Sequence, residues 1–218
     1  MPSVPRAPSA PSLPSKIVGI GRNYRAHANE LGGDVPREPL IFLKPPSSVI
    51  ADGAPIVLTP QSHQVEFEGE IGVVIGTRAR HVPEADARRV MRGIVAINDV
   101  TARDLQNSDG QWTRAKSFDT FAPVGGERAY TASWEALTVV TRVNGVQRQR
   151  ATADLMVFAI PRLIAFITSV MTLEPGDLIA TGTPAGVGPL VAGDTVEVEI
   201  SAAGAVVSHV RNPVVAPE

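Results

Sequence analysis

Apolar residues along the chain come in short, largely β-branched runs set between glycines and prolines, a pattern that predicts strands more often than helices. Lys16 to Ile20 predicts a strand. Leu40 to Leu43 predicts another, stopped by Pro45-Pro46, and Ile56 to Leu58 a third. Val65 to Ile75 predicts the longest strand and Ile94 to Ile97 a buried one. Thr138 to Arg150 reads as a hairpin turning at Asn144-Gly145, the dipeptide best suited to a tight hairpin turn. Leu178 to Ala180, Thr195 to Ile200 and Ala205 to Val210 predict further short strands. Helix is predicted in three places. Arg22 to Leu31 reads as a short helix or ordered loop closed by Gly32-Gly33. Pro83 to Met91 has proline in its first turn and Gly93 at its end, and Leu163 to Met171 follows Pro161. No internal repeat is evident, and helices do not alternate strictly with strands. The fold class predicted is therefore mainly β with a few helices, an α+β domain.

At 218 residues the chain suits one domain, and 44% hydrophobic residues supply an ample core. Aromatics are 5%, so that core must be aliphatic. Pro2, Pro5, Pro8, Pro11 and Pro14 recur every third position, which marks 1–15 as a proline-rich leader, disordered or polyproline II, ahead of one folded domain over 16–218. The leader lacks the apolar centre of a signal peptide, and no run nears the roughly 18 apolar residues of a membrane span. A cytoplasmic protein without a membrane partner is expected. A net charge of −2 argues against a nucleic-acid surface. The absence of cysteine removes disulfides, zinc-thiolate sites and thiol nucleophiles.

Within Val65 to Ile71, side chains alternate faces, so Glu66, Glu68 and Glu70 share one face and Val65, Phe67 and Ile71 the other. Farther along, the acidic face carries Gly72 and Val74, so it is not simply the wet side of a strand. A cation would relieve the repulsion between like charges; a solvated edge strand would tolerate it. The buried run Ile94 to Ile97 ends in Asn98-Asp99, where Asp99 is either a site carboxylate or, like Thr101, a helix N-cap. Hard carboxylate donors without cysteine favour Mg²⁺, Mn²⁺ or Ca²⁺ over zinc. Three such acids, if unpaired, would raise one another's pKa. His27 and Glu30 stand three apart, a spacing that on a helix lets the carboxylate orient the imidazole as a base, although surface pairs share it. The four histidines, His27, His63, His81 and His209, show no metal-ligand spacing. Gly182 to Gly188 is a glycine-rich loop whose amides could hold an anion. Lys116 reads from local sequence as a surface ammonium.

Together these blocks resemble the fumarylacetoacetate hydrolase family, in its short single-domain branch of acylpyruvate and fumarylpyruvate hydrolases. The resemblance is carried by Gly21-Arg22-Asn23-Tyr24-x-x-His27-x-x-Glu30, Phe42-Leu43-Lys44-Pro45 and Glu66-Phe67-Glu68-Gly69-Glu70. It continues through Asn98-Asp99-Val100-Thr101-Ala102-Arg103-Asp104, Lys116-Ser117-Phe118-Asp119-Thr120-Phe121, Leu173-Glu174-Pro175-Gly176-Asp177 and Thr181 to Gly188. It implies a mixed β-roll fold, a homodimer, and a Mg²⁺ or Mn²⁺ site at Glu68, Glu70 and Asp99. It also implies a catalytic dyad of His27 and Glu30 on a segment able to act as a lid, and substrate contacts from Arg103, Gln106, Lys116 and Thr183; Lys116 is then expected to be catalytic, stabilising developing charge, with Asp119 helping to position it. The activity implied is hydrolysis of a C–C bond in a small keto acid, a β-diketo acid of the acylpyruvate or fumarylpyruvate type, with release of pyruvate. Thr183 and its loop amides would hold the substrate carboxylate. Oxaloacetate decarboxylation, and isomerisation or decarboxylation of 2-hydroxyhepta-2,4-diene-1,7-dioate in aromatic catabolism, are the alternatives within the same family.

Overall fold

The computed structural model describes residues 13–30, 32 and 34–217. Most of the expected leader, and Leu31 and Gly33 at the expected end of the first helix, lie outside these residues. The architecture is strand-dominated α+β, as the sequence predicts. One five-stranded sheet runs in the order Leu40–Lys44, Ile17–Gly21, Leu178–Ala180, Gly69–Ile75, Met91–Asn98, parallel only between Ile17–Gly21 and Leu178–Ala180. A second runs in the order Val146–Thr152, Leu137–Val143, Thr195–Ala202, Ala205–Val215, Ile56–Val57, parallel only at its last pair.

The first sheet is covered on both faces. Val18, Ile20, Ile71, Val73 and Ile94 join Val139, Val198 and Ile200 of the second sheet, and Leu163, Ile164 and Ile167 of the helix Ile160–Val170, in the main core. Ile17, Val74, Val95, Ile97 and Leu178 form a separate cluster on the other face. Because side chains alternate along a strand, a sheet buried on both faces needs unbroken apolar runs, which is why Ile94 to Ile97 has no polar residue. Each such aliphatic side chain contributes about 1.5–3 kcal/mol when fully buried.

The structure departs from the sequence pattern at several boundaries. The long strand over Val65 to Ile75 is two strands, Val65–Phe67 and Gly69–Ile75, in different sheets. At the break, side chains replace ladder partners: Asn98 Oδ1 accepts the Glu68 N–H at 2.9 Å and Gln149 Oε1 the Gly69 N–H at 3.0 Å. The helix expected over Pro83 to Met91 is a 3₁₀ turn, Glu84–Asp86, and one α-turn, Ala87–Val90; Met91 already pairs with Ile75 as strand. The apolar helix starts earlier, at Ile160, with Pro161 in its first turn. The last strand runs on to Val215. Two short helices, Arg103–Ser108 and Thr113–Lys116, had no signal in the apolar pattern. The hairpin turn falls at Asn144-Gly145, both with positive φ, 52° and 77°. Among the described residues, no helix is long and apolar enough to cross a membrane.

Asp177, 0% exposed, fastens the start of the first strand to the sheet. Its carboxylate accepts the Ser15 N–H (3.0 Å), the Ser15 hydroxyl (2.6 Å), the Lys16 N–H (3.1 Å) and the Glu174 N–H (2.8 Å), and pairs with the Lys16 ammonium. Burial pushes this carboxyl up, but the Glu174 amide, Lys16 and Ser15 outweigh it and hold it below the usual aspartate value. A depressed carboxyl stabilises the fold above its unfolded pKa of about 3.9, and that contribution is lost as pH falls through the folded value. Asp177→Asn should cost about 1–3 kcal/mol at pH 7. The gap to wild type should close as pH drops below about 4. Chemical denaturation of both proteins at neutral and acid pH checks this, and a gap that ignores pH would refute it.

Candidate active site

The strand break at Glu68 builds the site. Asn98 holds the Glu68 N–H, and the Glu68 carbonyl accepts the Asp99 N–H at 2.8 Å, so two distant segments are clamped side by side. Glu68, Glu70 and Asp99 then converge, one carboxylate oxygen from each lying within 4.8 Å of the other two. Their exposures are 5%, 1% and 0%, which rules out the solvated edge. Asp99 is no N-cap either, since that position of the helix Arg103–Ser108 is Ala102.

Cations from three segments meet these acids. Lys116 is 1% exposed, not a surface ammonium, and its Nζ donates to Glu68 Oε2 at 2.8 Å and Asp99 Oδ2 at 2.6 Å. Asp119 is exposed and takes no part in these bonds, so it does not position Lys116. Lys44 Nζ donates to Asp99 Oδ1 at 2.6 Å and to the Val100 carbonyl at 3.2 Å. Arg103 reaches Glu66 through Nε at 2.7 Å, Glu68 through Nη2 and Gln106 Oε1 through Nη1. Gln64 Nε2 adds a bond to Glu66 at 2.7 Å.

The acids are therefore not the unpaired set that mutual repulsion alone would describe. Burial pushes the Glu68 carboxyl up, but Lys116 and Arg103 overcome it and hold it below the usual range. Burial lowers Lys116, yet Asp99 and Glu68 carry it above the ordinary lysine value. Lys44, with one carboxylate in contact, stays lowered by burial despite Asp99. Glu70 differs from all of these. Among the described residues it has no ion pair, and its contact is the Gly182 N–H at 2.7 Å. Burial, then Asp99 and Glu68, push its carboxyl well above the usual value. A divalent cation would supply the missing countercharge. Three hard oxygen donors without thiolate fit Mg²⁺ or Mn²⁺, and Ca²⁺ also.

His27 lies on the helix Arg25–Glu30, 4% exposed, with Nδ1 3.1 Å from Glu30 Oε2. Glu30 in turn accepts the Gly186 N–H at 3.0 Å. The amides of the glycine-rich loop thus hold two protein carboxylates, Glu70 and Glu30, where the sequence suggested an outside anion. Gly186 has φ +101°, and a Cβ there would fall 2.3 Å from the Arg148 carbonyl, so only glycine fits. His27, Glu30, Glu68, Arg103, Gln106, Lys116 and Thr183 all line one cavity of about 580 Å³; Glu70 and Asp99 are not part of that lining and converge on Glu68. The Thr183 hydroxyl donates to the Gly69 carbonyl at 3.0 Å and accepts from Gln149 Nε2 at 2.8 Å. Its proton is therefore engaged within the protein.

Sequence reasoning gave no role to Lys44, although a lone charge closing the apolar run Leu40 to Leu43 was a usable signal. It also missed Gln149, which bridges Gly69, Thr183 and the Pro184 carbonyl (2.7 Å) from within an otherwise mostly exposed strand.

Residues 16–211 match the family described as fumarylacetoacetate (FAA) hydrolase, C-terminal. The chain belongs to the fumarylacetoacetate hydrolase family, as an enzyme with a candidate acidic cation-binding cluster. A solved structure of 5-carboxymethyl-2-hydroxymuconate delta-isomerase from Mycobacterium smegmatis is 44% identical, over 94% of this chain and 80% of that one, with a TM-score of 0.86. That of 2-hydroxyhepta-2,4-diene-1,7-dioate isomerase from Mycobacterium marinum is 44% identical, over 95% and 77%, with a TM-score of 0.85. The mitochondrial oxaloacetate tautomerase FAHD1 of Arabidopsis thaliana is 42% identical over 193 residues, 86% of this chain and 87% of its own.

Two substitutions separate the carboxylate already paired with protein cations from the one that lacks a countercharge. Glu68→Gln breaks two buried ion pairs and should lower stability by about 3–5 kcal/mol. Glu70→Gln removes a charge that no protein cation touches, and should leave the metal-free protein about as stable as wild type. Added Mg²⁺ or Mn²⁺ should raise the Tm of wild type but not of Glu70→Gln. An undiminished shift in that variant would take Glu70 out of the site.

Proposed function

We propose that the protein moves a proton between carbon and oxygen, or between two carbons, of a 2-oxo dicarboxylate or its 2-hydroxy enol form. This is tautomerase or isomerase chemistry, and it displaces pyruvate-releasing C–C hydrolysis as the leading reading. The observation that carries it is the placement in one cavity of a buried imidazole backed by a carboxylate and of the edge of an acid cluster suited to a divalent cation. Support for isomerisation over hydrolysis comes from relatives named as isomerases and a tautomerase at 42–44% identity along most of the chain.

A divalent cation held by Glu68, Glu70 and Asp99 would polarise the 2-oxo group and acidify the neighbouring C–H. His27, with Nδ1 committed to Glu30, has Nε2 for the substrate and takes that proton. Glu30, steadied by the Gly186 N–H, keeps the ring oriented and stabilises the imidazolium. Lys116 keeps its charge and offsets negative charge gathering on the substrate oxygen. His27 then returns the proton to oxygen or to a second carbon, so no atom is gained or lost and no water is consumed.

The test offers the protein, with Mg²⁺ or Mn²⁺, the enol of oxaloacetate, 2-hydroxyhepta-2,4-diene-1,7-dioate and a panel of acylpyruvates including fumarylpyruvate. Loss of the conjugated enol absorbance should outpace pyruvate release from every acylpyruvate. Pyruvate release faster than either isomerisation would restore hydrolysis. His27→Ala should slow isomerisation by about 10²-fold or more while Mn²⁺ affinity is kept.

A further inference from the structure

We propose that Arg22 anchors the far carboxylate of the dicarboxylate substrate and so sets the preference for diacids over monoacids; this deepens the proposed function and rests on it. Four basic side chains line the cavity: Arg22, His27, Arg103 and Lys116. Arg103 is taken up by Glu66 and Glu68, Lys116 by Glu68 and Asp99, and His27 by Glu30. Arg22 is half-buried, and among the described residues its guanidinium makes no hydrogen bond and no ion pair. It is the basic group of this cavity left for an anion from outside.

The backbone holds it there. Arg22 has φ 56°, in the left-handed region that residues with a Cβ seldom enter, and such conformations persist where neighbours over-determine them. Asn23 does so on one side. It is 0% exposed, and its Nδ2 donates to the Thr181 carbonyl at 2.7 Å and the Phe158 carbonyl at 3.1 Å. Its Oδ1 and its own carbonyl accept the Phe158 and Val157 N–H groups, both at 2.8 Å. On the other side Gly21 ends the strand, and a Cβ on it would sit 2.5 Å from the Trp112 ring. Trp112 therefore presses against Gly21 and walls the cavity next to Arg22, itself braced edge-on by Phe42 at 5.5 Å between centroids.

The reacting 2-oxo acid head belongs at Glu68 and Lys116, where the acid cluster meets the cavity. A second carboxylate on the same molecule is then left to the unpaired guanidinium, whose planar fork matches a carboxylate with two parallel hydrogen bonds.

Calorimetric titration of the Mn²⁺-loaded protein tests this with two probes that already rest in the keto form at equilibrium, so that keto–enol exchange on the protein gives no net conversion. Pyruvate carries the head alone, and 2-oxoadipate carries the head plus a distal carboxylate. Wild type should bind 2-oxoadipate about 10- to 100-fold more tightly than pyruvate. Arg22→Gln keeps the unbranched Cβ, and should bind pyruvate as wild type does while losing the preference for 2-oxoadipate. Arg22→Lys should recover part of it. A preference that survives in Arg22→Gln overturns the anchor and leaves the proposed function standing. Equal affinity of wild type for both probes also overturns the anchor. Failure of wild type to bind either probe strikes the proposed function, and the anchor with it.

Discussion

Charge buried without water must be balanced at short range, and the interior of this protein is arranged around that requirement. Glu66, Glu68, Glu70 and Asp99 are at most 7% exposed, and the bases packed among them are Lys44, Arg103 and Lys116. Four carboxylates against three cations leave one negative charge over, and the structure puts that excess at Glu70. The other three acids are pinned by cations at 2.6–2.8 Å or closer. Removing one partner of such a pair leaves an uncompensated buried charge, so the network holds its geometry rigidly. The surplus is the physical reason that these carboxylates form a candidate cation site.

Backbone topology makes this concentration of charge attainable. A continuous strand from Val65 to Ile75 would have kept Glu68 in one ladder with its amide bound to a neighbouring strand. Instead the Asn98 side chain takes that amide, and the chain passes from one sheet to another at Glu68. Apolar layers then close around the seam. Phe67 packs in the cluster with Val100 and Leu105, and Ile71 in the main core. Gly72 leaves room for the Val95 and Ile97 side chains of the neighbouring strand, since a Cβ there would come within 2.6 Å of Val95.

Much of this was readable in the sequence because it depends on local period and local turn chemistry. Alternation placed the three glutamates on one face with Gly72 and Val74, and Asn144-Gly145 marked its own turn. The strand break was not readable, because it is made by Asn98, thirty positions away, and no local residue announces it. The helices Arg103–Ser108 and Thr113–Lys116 were silent for a related reason. Their buried residues are Arg103 and Leu105 in one and Ala115 and Lys116 in the other, so the side chains that hold them are partly charged and leave no apolar stripe. Lys116 looked like a surface ammonium because its partners come from two other segments of the chain.

The glycine-rich loop joins the two halves of the site. Gly182 donates its N–H to Glu70 in the acid cluster, and Gly186 donates to Glu30 behind His27. Only four positions separate these amides, and Gln149 grips the loop between them at Thr183 and Pro184. Glu30 is the more exposed end, its side chain 35% accessible, whereas Glu70 is buried. A displacement of Glu30 that broke the Gly186 bond would act on the same loop that holds Glu70. The candidate cation cluster and the His27–Glu30 pair therefore share one support, since the amide that holds Glu70 and the amide that steadies the partner of the imidazole come from the same loop.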